Sequence, residues 1–296
     1  MDPVRSVLHF DNSALNHLFE QAPAVDENMR RAVVDHMKAG RSTVIAIHAA
    51  LLGEVAGLFF SNRARFDRVA RFLFDTCNWQ VLRPAFDDKG NPIRVALEIQ
   101  CHGRPPWEKI VHSRRETKWI AAAFTDGKRS TLDKLARDAS LRKRKYAAKE
   151  LERRAEAEKR MLESGQKADA EFTGWAKDPS GVVDEWTRFD MHKNPRFYGL
   201  PADATQWPSP RDFVTLWFSR GYQVARLRDI FVENHRCDDG GDLFDGMYFQ
   251  EAAYADVFVT GDRRLARRAR SLRMIAPRIL STEEWVAEVL AEQAPI

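Results

Sequence analysis

Residues 254–270 read YADVFVTGDRRLARRAR, and the reading of this stretch sets the fold. Val257–Phe258–Val259 has the length and composition of a buried strand, and Gly261 marks the turn out of it. Asp262 follows, and five arginines occupy the next eight residues at positions 263, 264, 267, 268 and 270, a helical spacing. An acid at the end of a strand with cations behind it suits a site that handles phosphate. It equally suits a plain helix N-cap, where Asp is among the favoured residues.

Working outward, the same alternation recurs. SVLHF (6–10) is a short apolar run ending at Asp11–Asn12–Ser13, and the helical pattern ALNHLFEQ follows at once. Residues 25–39 form a second helix candidate. Residues 42–60 begin β-branched and shift to Ala and Leu, a strand feeding a helix that carries Glu54. A helix is predicted over 66–77, a strand over 78–84 and a turn at Asp87–Pro92. Near the other end, 211–235 and 242–254 read as helices separated by a turn at Asp238–Gly241. MIAPRIL (274–280) is a last strand and STEEWVAEVLAE (281–292) a closing helix, with Ser281 and Glu284 spaced as a capping box. Strands alternating with helices at both ends imply βαβ units and a mostly parallel sheet.

Between these parts the character changes. From 101 to 170 there are 19 Lys/Arg against 11 Asp/Glu, a net of +8 in a chain of net +4. Residues 133–164 lack helix breakers, are rich in strong helix formers and carry a thin apolar stripe, which predicts a long helix packed on one narrow side, an arm or hairpin. The expected organisation is a core from 1–103 and 211–296, a basic helical insertion at 104–170, and an irregular Trp-rich connection at 171–210. The basic segment suits a polyanionic partner or a solvated helix surface.

No apolar run is long enough to span a bilayer, and the amino terminus has no signal-peptide pattern. Three scattered cysteines, Cys77, Cys101 and Cys237, argue against a disulfide scaffold and for a cytoplasmic protein. Neither the cysteines nor the histidines have zinc-site spacing.

In a parallel sheet the residues after the strand carboxyl ends share one edge, where ligands bind. Asp11 and Asp262 follow the first strand and the VFVT strand, and Glu54 lies early in the helix after the second. Asp242 and Asp245 open a helix antiparallel to the VFVT strand, so its start falls near the strand's end. Asp256, before that strand, lies roughly 10–15 Å away at the opposite edge and reads as structural. Several carboxylates at close quarters need a cation, and oxygen-rich clusters suit Mg²⁺ or Mn²⁺. Such ions activate water and stabilise in-line displacement at phosphorus.

These residues resemble the PIN-domain ribonucleases. The resemblance rests on FDNS (10–13), on the lone acid in ALLGEVAG (50–57) and on DGMYFQEAAYADVFVTGDRRL (245–265), with STEEWV (281–286) similar to the family's closing helix. It covers about half the chain, residues 1–85 and 236–296. It implies a three-layer α/β/α sandwich with a central, mostly parallel sheet, here with a large helical insertion. It also implies a Mg²⁺- or Mn²⁺-dependent endoribonuclease whose metal-site acids are Asp11, Glu54, Asp245 and Asp262, with Ser13 and Thr260 orienting them and Asp242 in support. Arg263, Arg264, Arg267 and Arg268 would steer the RNA backbone. A toxin or defence role, with an antitoxin or regulatory protein as partner, fits the resemblance. The alternatives are a dormant PIN-like scaffold that binds nucleic acid without turnover, and a DNA-directed nuclease.

Overall fold

The computed structural model describes residues 7–21, 25–39, 44–45, 47–77, 80–85, 92–164, 178–231, 241–272 and 277–293. It is a mostly helical chain around a small parallel sheet. Strands β1 (Val7–Phe10), β2 (Val44–Ile45), β3 (Val257–Thr260) and β4 (Arg278–Ser281) lie in the order β2-β1-β3-β4. All three pairings are parallel. The four strands end in helices: α1 (Asn12–Asn16) after β1, α3 (Ala49–Ser61) after β2, α12 (Arg263–Ser271) after β3 and α13 (Thr282–Gln293) after β4. All four carboxyl ends therefore point to one edge.

The opposite edge is fixed by Asp256, as its position before β3 predicts. Its carboxylate accepts the Val7 N–H at 2.6 Å, and its backbone donates to Val7 and accepts from Arg278. One residue thus aligns the starts of three strands. The capping box at α13 is present: Ser281 N–H donates to Glu284 Oε2 at 2.6 Å and Glu284 N–H to Ser281 Oγ at 3.1 Å.

Beyond the sheet, α2 (Glu27–Lys38) and α4 (Arg63–Cys77) complete the amino-terminal part, and α5 (Arg94–Cys101), α6 (Trp107–Ile110) and α7 (Arg114–Asp126) lead into α8 (Arg129–Ser164). α9 (Pro179–Lys193), α10 (Val214–Phe231) and α11 (Gly241–Glu251) return the chain to β3. Three local expectations differ. The 78–84 strand is reduced to bridges, Val81 with Ile47 and Leu82 with Val111. Within 171–210 the supposed irregular connection holds the 15-residue helix α9, started by an Asp178 cap and a proline in its first turn. The turn at 87–91, Trp175, the region around Cys237 and the 238–240 turn lie outside the described residues. No helix among the described residues is long and apolar enough to cross a membrane.

The third difference concerns α8, whose first half is docked rather than projecting. Leu132 is fully buried, and Leu135, Ala136 and Ala139 pack on the main core. The partner is α3, and the two run antiparallel: Arg129 lies over the ring of Phe60 at the end of α3, while Ala139 meets Gly53 near its start. A Cβ on Gly53 would fall 2.4 Å from that of Ala139, whereas one on Gly57 would meet nothing within 4 Å. Gly53→Ala is expected to cost about 1–3 kcal/mol by overpacking. Gly57→Ala on the same helix should gain up to about 1 kcal/mol by restricting the unfolded chain. Paired thermal melts check the contrast.

A buried polar knot joins α5 to the carboxyl-terminal half. Arg94, fully buried, donates to Glu251 at 2.5 Å. Glu98 Oε1 accepts from Thr215 N–H at 2.9 Å, from the Thr215 hydroxyl at 2.5 Å and from the Tyr254 hydroxyl. Burial pushes both glutamates up, and the Arg94 charge pulls both back.

Candidate functional site at the carboxyl edge of the sheet

β1 and β3 pair with Phe10 opposite Val259, so their exits lie side by side, and the Asp11 N–H donates to the Val259 carbonyl at 3.2 Å. Asp11 caps α1 by accepting the Ala14 N–H at 2.7 Å. Ser13 Oγ lies 2.7 Å from both of its carboxylate oxygens, and Thr260 Oγ1 donates to Oδ2 at 2.5 Å. Both hydroxyls also accept from the β3 exit: Ser13 from Gly261 N–H at 2.9 Å, across the two strands, and Thr260 from Asp262 N–H at 3.0 Å, two residues on. The exits approach so closely that a Cβ on Gly261 would fall 2.6 Å from the Ser13 carbonyl oxygen. Only glycine fits there. Asp262 caps α12 through Oδ1, which accepts from Arg264 N–H at 2.7 Å and Leu265 N–H at 3.1 Å. Asp11 and Asp262 are thus both true N-caps, and they are stitched together through Thr260.

Asp11 is 2% exposed, and burial pushes its pKa up to about 6. Hydrogen bonds from Thr260, Ala14 and Ser13 pull against that rise, and the charge of Asp262 adds to it.

Glu54 and Asp245 make a second group, centred on Tyr248. Buried Tyr248 donates its hydroxyl to Glu54 Oε2 at 2.5 Å. Asp245 precedes Tyr248 by three residues on α11, a spacing that puts both on one face. Burial pushes Glu54 above the usual carboxylate range, opposed by the Tyr248 hydrogen bond and by the charges of Lys143 and Arg65. The Tyr248 phenol is pushed well up by burial and by Glu54, Asp11 and Asp245 together. The charges of Glu54, Asp11 and Asp245 thus all reach this phenol, and that of Asp262 reaches Asp11. His48, the residue before α3, packs edge-on against Tyr248 with ring centroids 4.6 Å apart. Burial and the nearby His9 and Arg94 hold its imidazole well below the usual pKa and therefore neutral.

The acids are neighbours but not a closed cage. Among the described residues no group of three His, Cys, Asp or Glu side chains is gathered to hold a metal ion. The backbone of Asp242 opens α11 as expected, and its side chain lies outside what is described.

The arginines need a correction. Arg268 is 1% exposed and pairs with Asp229, and it donates to the Tyr222 hydroxyl at 3.1 Å, so it serves the core and not a nucleic acid. It shares the inner face of α12 with Leu265, Ala269 and Leu272, all buried. Arg267, about half exposed, reaches the same Asp229 at 3.7 Å. Arg263 faces solvent and Arg264 is half-buried.

Two residues escaped the sequence reading. Tyr248 carried a signal, being aromatic and one turn after Asp245 in an acidic motif. Lys143 carried none, because its charge reaches Glu54 only through the way α8 docks. Compared with family models, with curated proteins and with solved structures, the chain gave no match.

Proposed function

We propose that this protein is a metal-dependent endoribonuclease with a PIN-like α/β/α core. Asp11, Glu54, Asp245 and Asp262 would serve a Mg²⁺ or Mn²⁺ ion. The observation that supports this most is the stitched exit of β1 and β3, where Ser13 and Thr260 fix two acids of separate strands at the edge where sheets of this kind bind ligands. The donor set is all oxygen, as hard cations require. Mg²⁺ commonly takes one or two carboxylates and keeps several waters, so Asp11 and Asp262 would be enough to hold it, with Glu54 and Asp245 in support. A bound ion supplies an acidified water and offsets charge developing at phosphorus. The chain's own part is positional: Ser13 and Thr260 hold Asp11, Tyr248 holds Glu54 toward its ionised form, and exposed Arg263 draws the phosphate backbone in.

One observation favours a second reading, the dormant nucleic-acid scaffold. Asp11 is already served by three protein donors, the Ala14 N–H and the two hydroxyls. One assay separates them. With Mn²⁺ the protein should cleave labelled RNA faster than the matching DNA, chelator should stop it, and Asp262→Asn should stop it too. Asn caps a helix as well as Asp does, so the variant keeps its fold. Cleavage that persists in chelator or in folded Asp262→Asn rules the metal site out. Salt-sensitive binding without turnover selects the scaffold.

A further inference from the structure

We infer that the exposed basic segment of α8 around residues 142–145 is the track on which single-stranded RNA lies next to the acidic edge. The inference rests on the nuclease reading for its choice of ligand and on helix packing for its location. α8 runs antiparallel to α3, with Arg129 at the level of Phe60 and Ala139 at the level of Gly53. Following α8 onward therefore means moving toward the start of α3. That start is the carboxyl end of β2, on the same edge as Asp11 and Asp262. At 1.5 Å per residue, positions 142–145 lie about 5–9 Å beyond the Gly53 crossing, roughly level with that start. Glu54 feels the charge of Lys143, which agrees with this register.

The composition of α8 changes at this point. Residues 141–149 read LRKRKYAAK, five cations and no acid, while the docked turns before them alternate charges and pair Arg137 with Asp133 at 2.8 Å. Leu141 through Lys145 are all exposed. The Gly53–Ala139 crossing anchors this run on the core, so its charges are held near the acids. An electronegative catalytic edge repels a phosphodiester, and a fixed row of cations beside it supplies the offsetting attraction. The arginines of α12 cannot supply it alone, since Arg268 is buried in an ion pair and Arg267 leans on Asp229. A basic helix binds phosphates through charge, so the contact should be strongly salt-dependent and weakly sequence-dependent.

The test measures binding of a fluorescein-labelled single-stranded RNA in chelator, where no cleavage occurs, across a salt series. The variant carries Arg142→Gln, Arg144→Gln and Lys145→Gln. The control carries Lys109→Gln, Lys118→Gln and Arg188→Gln, three exposed cations on α6, α7 and α9. The expected result is a binding loss of at least tenfold for the α8 variant, with the log–log salt slope reduced by about 2, and little change for the control. Equal losses in both variants, or none in a folded α8 variant, overturn the inference. Binding that is α8-dependent in a protein that cleaves nothing upholds the track and fails the nuclease reading. Cleavage that survives in Mn²⁺ with binding indifferent to α8 does the reverse.

Discussion

Asp11→Asn is expected to abolish RNA cleavage while raising thermal stability at neutral pH. The two effects have one cause. Burial lifts the Asp11 pKa from its ordinary 3.8 to about 6 in the folded protein. A folded-state pKa above the unfolded value means that ionisation penalises folding. The penalty is absent below the ordinary value, grows through the window between the two values and is full above about pH 6. A shift of this size corresponds to about 3 kcal/mol. Asparagine carries no such penalty, and its amide oxygen still caps α1. It cannot accept from every donor that the carboxylate satisfies, so the net gain should be about 1–2 kcal/mol, a few degrees in the melting midpoint. Melts at pH 4 and pH 7.5 should show the gain only at the higher pH. Added Mn²⁺ should raise the wild-type midpoint, as any ligand of the native state does, and leave the variant's unmoved. A pH-independent gain, or a variant that still cleaves RNA, would refute the assignment.

The largest stability loss is expected from Arg94→Met. Arg94 and Glu251 are 157 residues apart, and their contact ties α5 to the end of α11 just before β3. Building a buried pair gains little, but removing one member strands the other, at a cost of about 3–5 kcal/mol. Methionine nearly fills the space, so the loss reports charge more than cavity. Without the guanidinium both Glu98 and Glu251 rise further above their already raised values. The penalty for ionising them then grows as pH rises from the ordinary glutamate value, so the deficit should be smaller at pH 5 than at pH 8. Glu251→Leu added to Arg94→Met should restore part of it, and a double-mutant cycle measures the coupling. Additive losses in that cycle would show that the pair is not the source.

Legibility in the sequence followed the range of the interaction. The β3 strand, the caps at Asp11 and Asp262, the Ser281–Glu284 box and the structural role of Asp256 were readable because each rests on neighbours in the chain or on parallel-sheet geometry. The burial of Arg268 was legible too: Leu265, Arg268, Ala269 and Leu272 repeat at i, i+3, i+4 and i+7, the inner stripe of a helix, where position outweighs charge. The Arg94 knot and the docking of α8 were not readable. Each depends on a meeting of distant residues, Arg94 with Glu251 and Gly53 with Ala139, that no local pattern encodes. The thin stripe of α8 suggested a narrow contact correctly but could not name α3 as the surface it met.

The pairing of β1 with β3 also sets a timetable. Asp11 and the Thr260 hydroxyl that holds it are separated by 249 positions. A ribosome adding about 5–20 residues each second spends roughly 12–50 s between them. Helices α1 to α8 can emerge and begin to pack during that interval, but the edge with its two stitched acids cannot exist until residue 262 has left the exit tunnel. Any product released before Val257 lacks both Thr260 and Asp262. A growing chain of this design therefore holds Asp11 without its Thr260 partner through that whole interval.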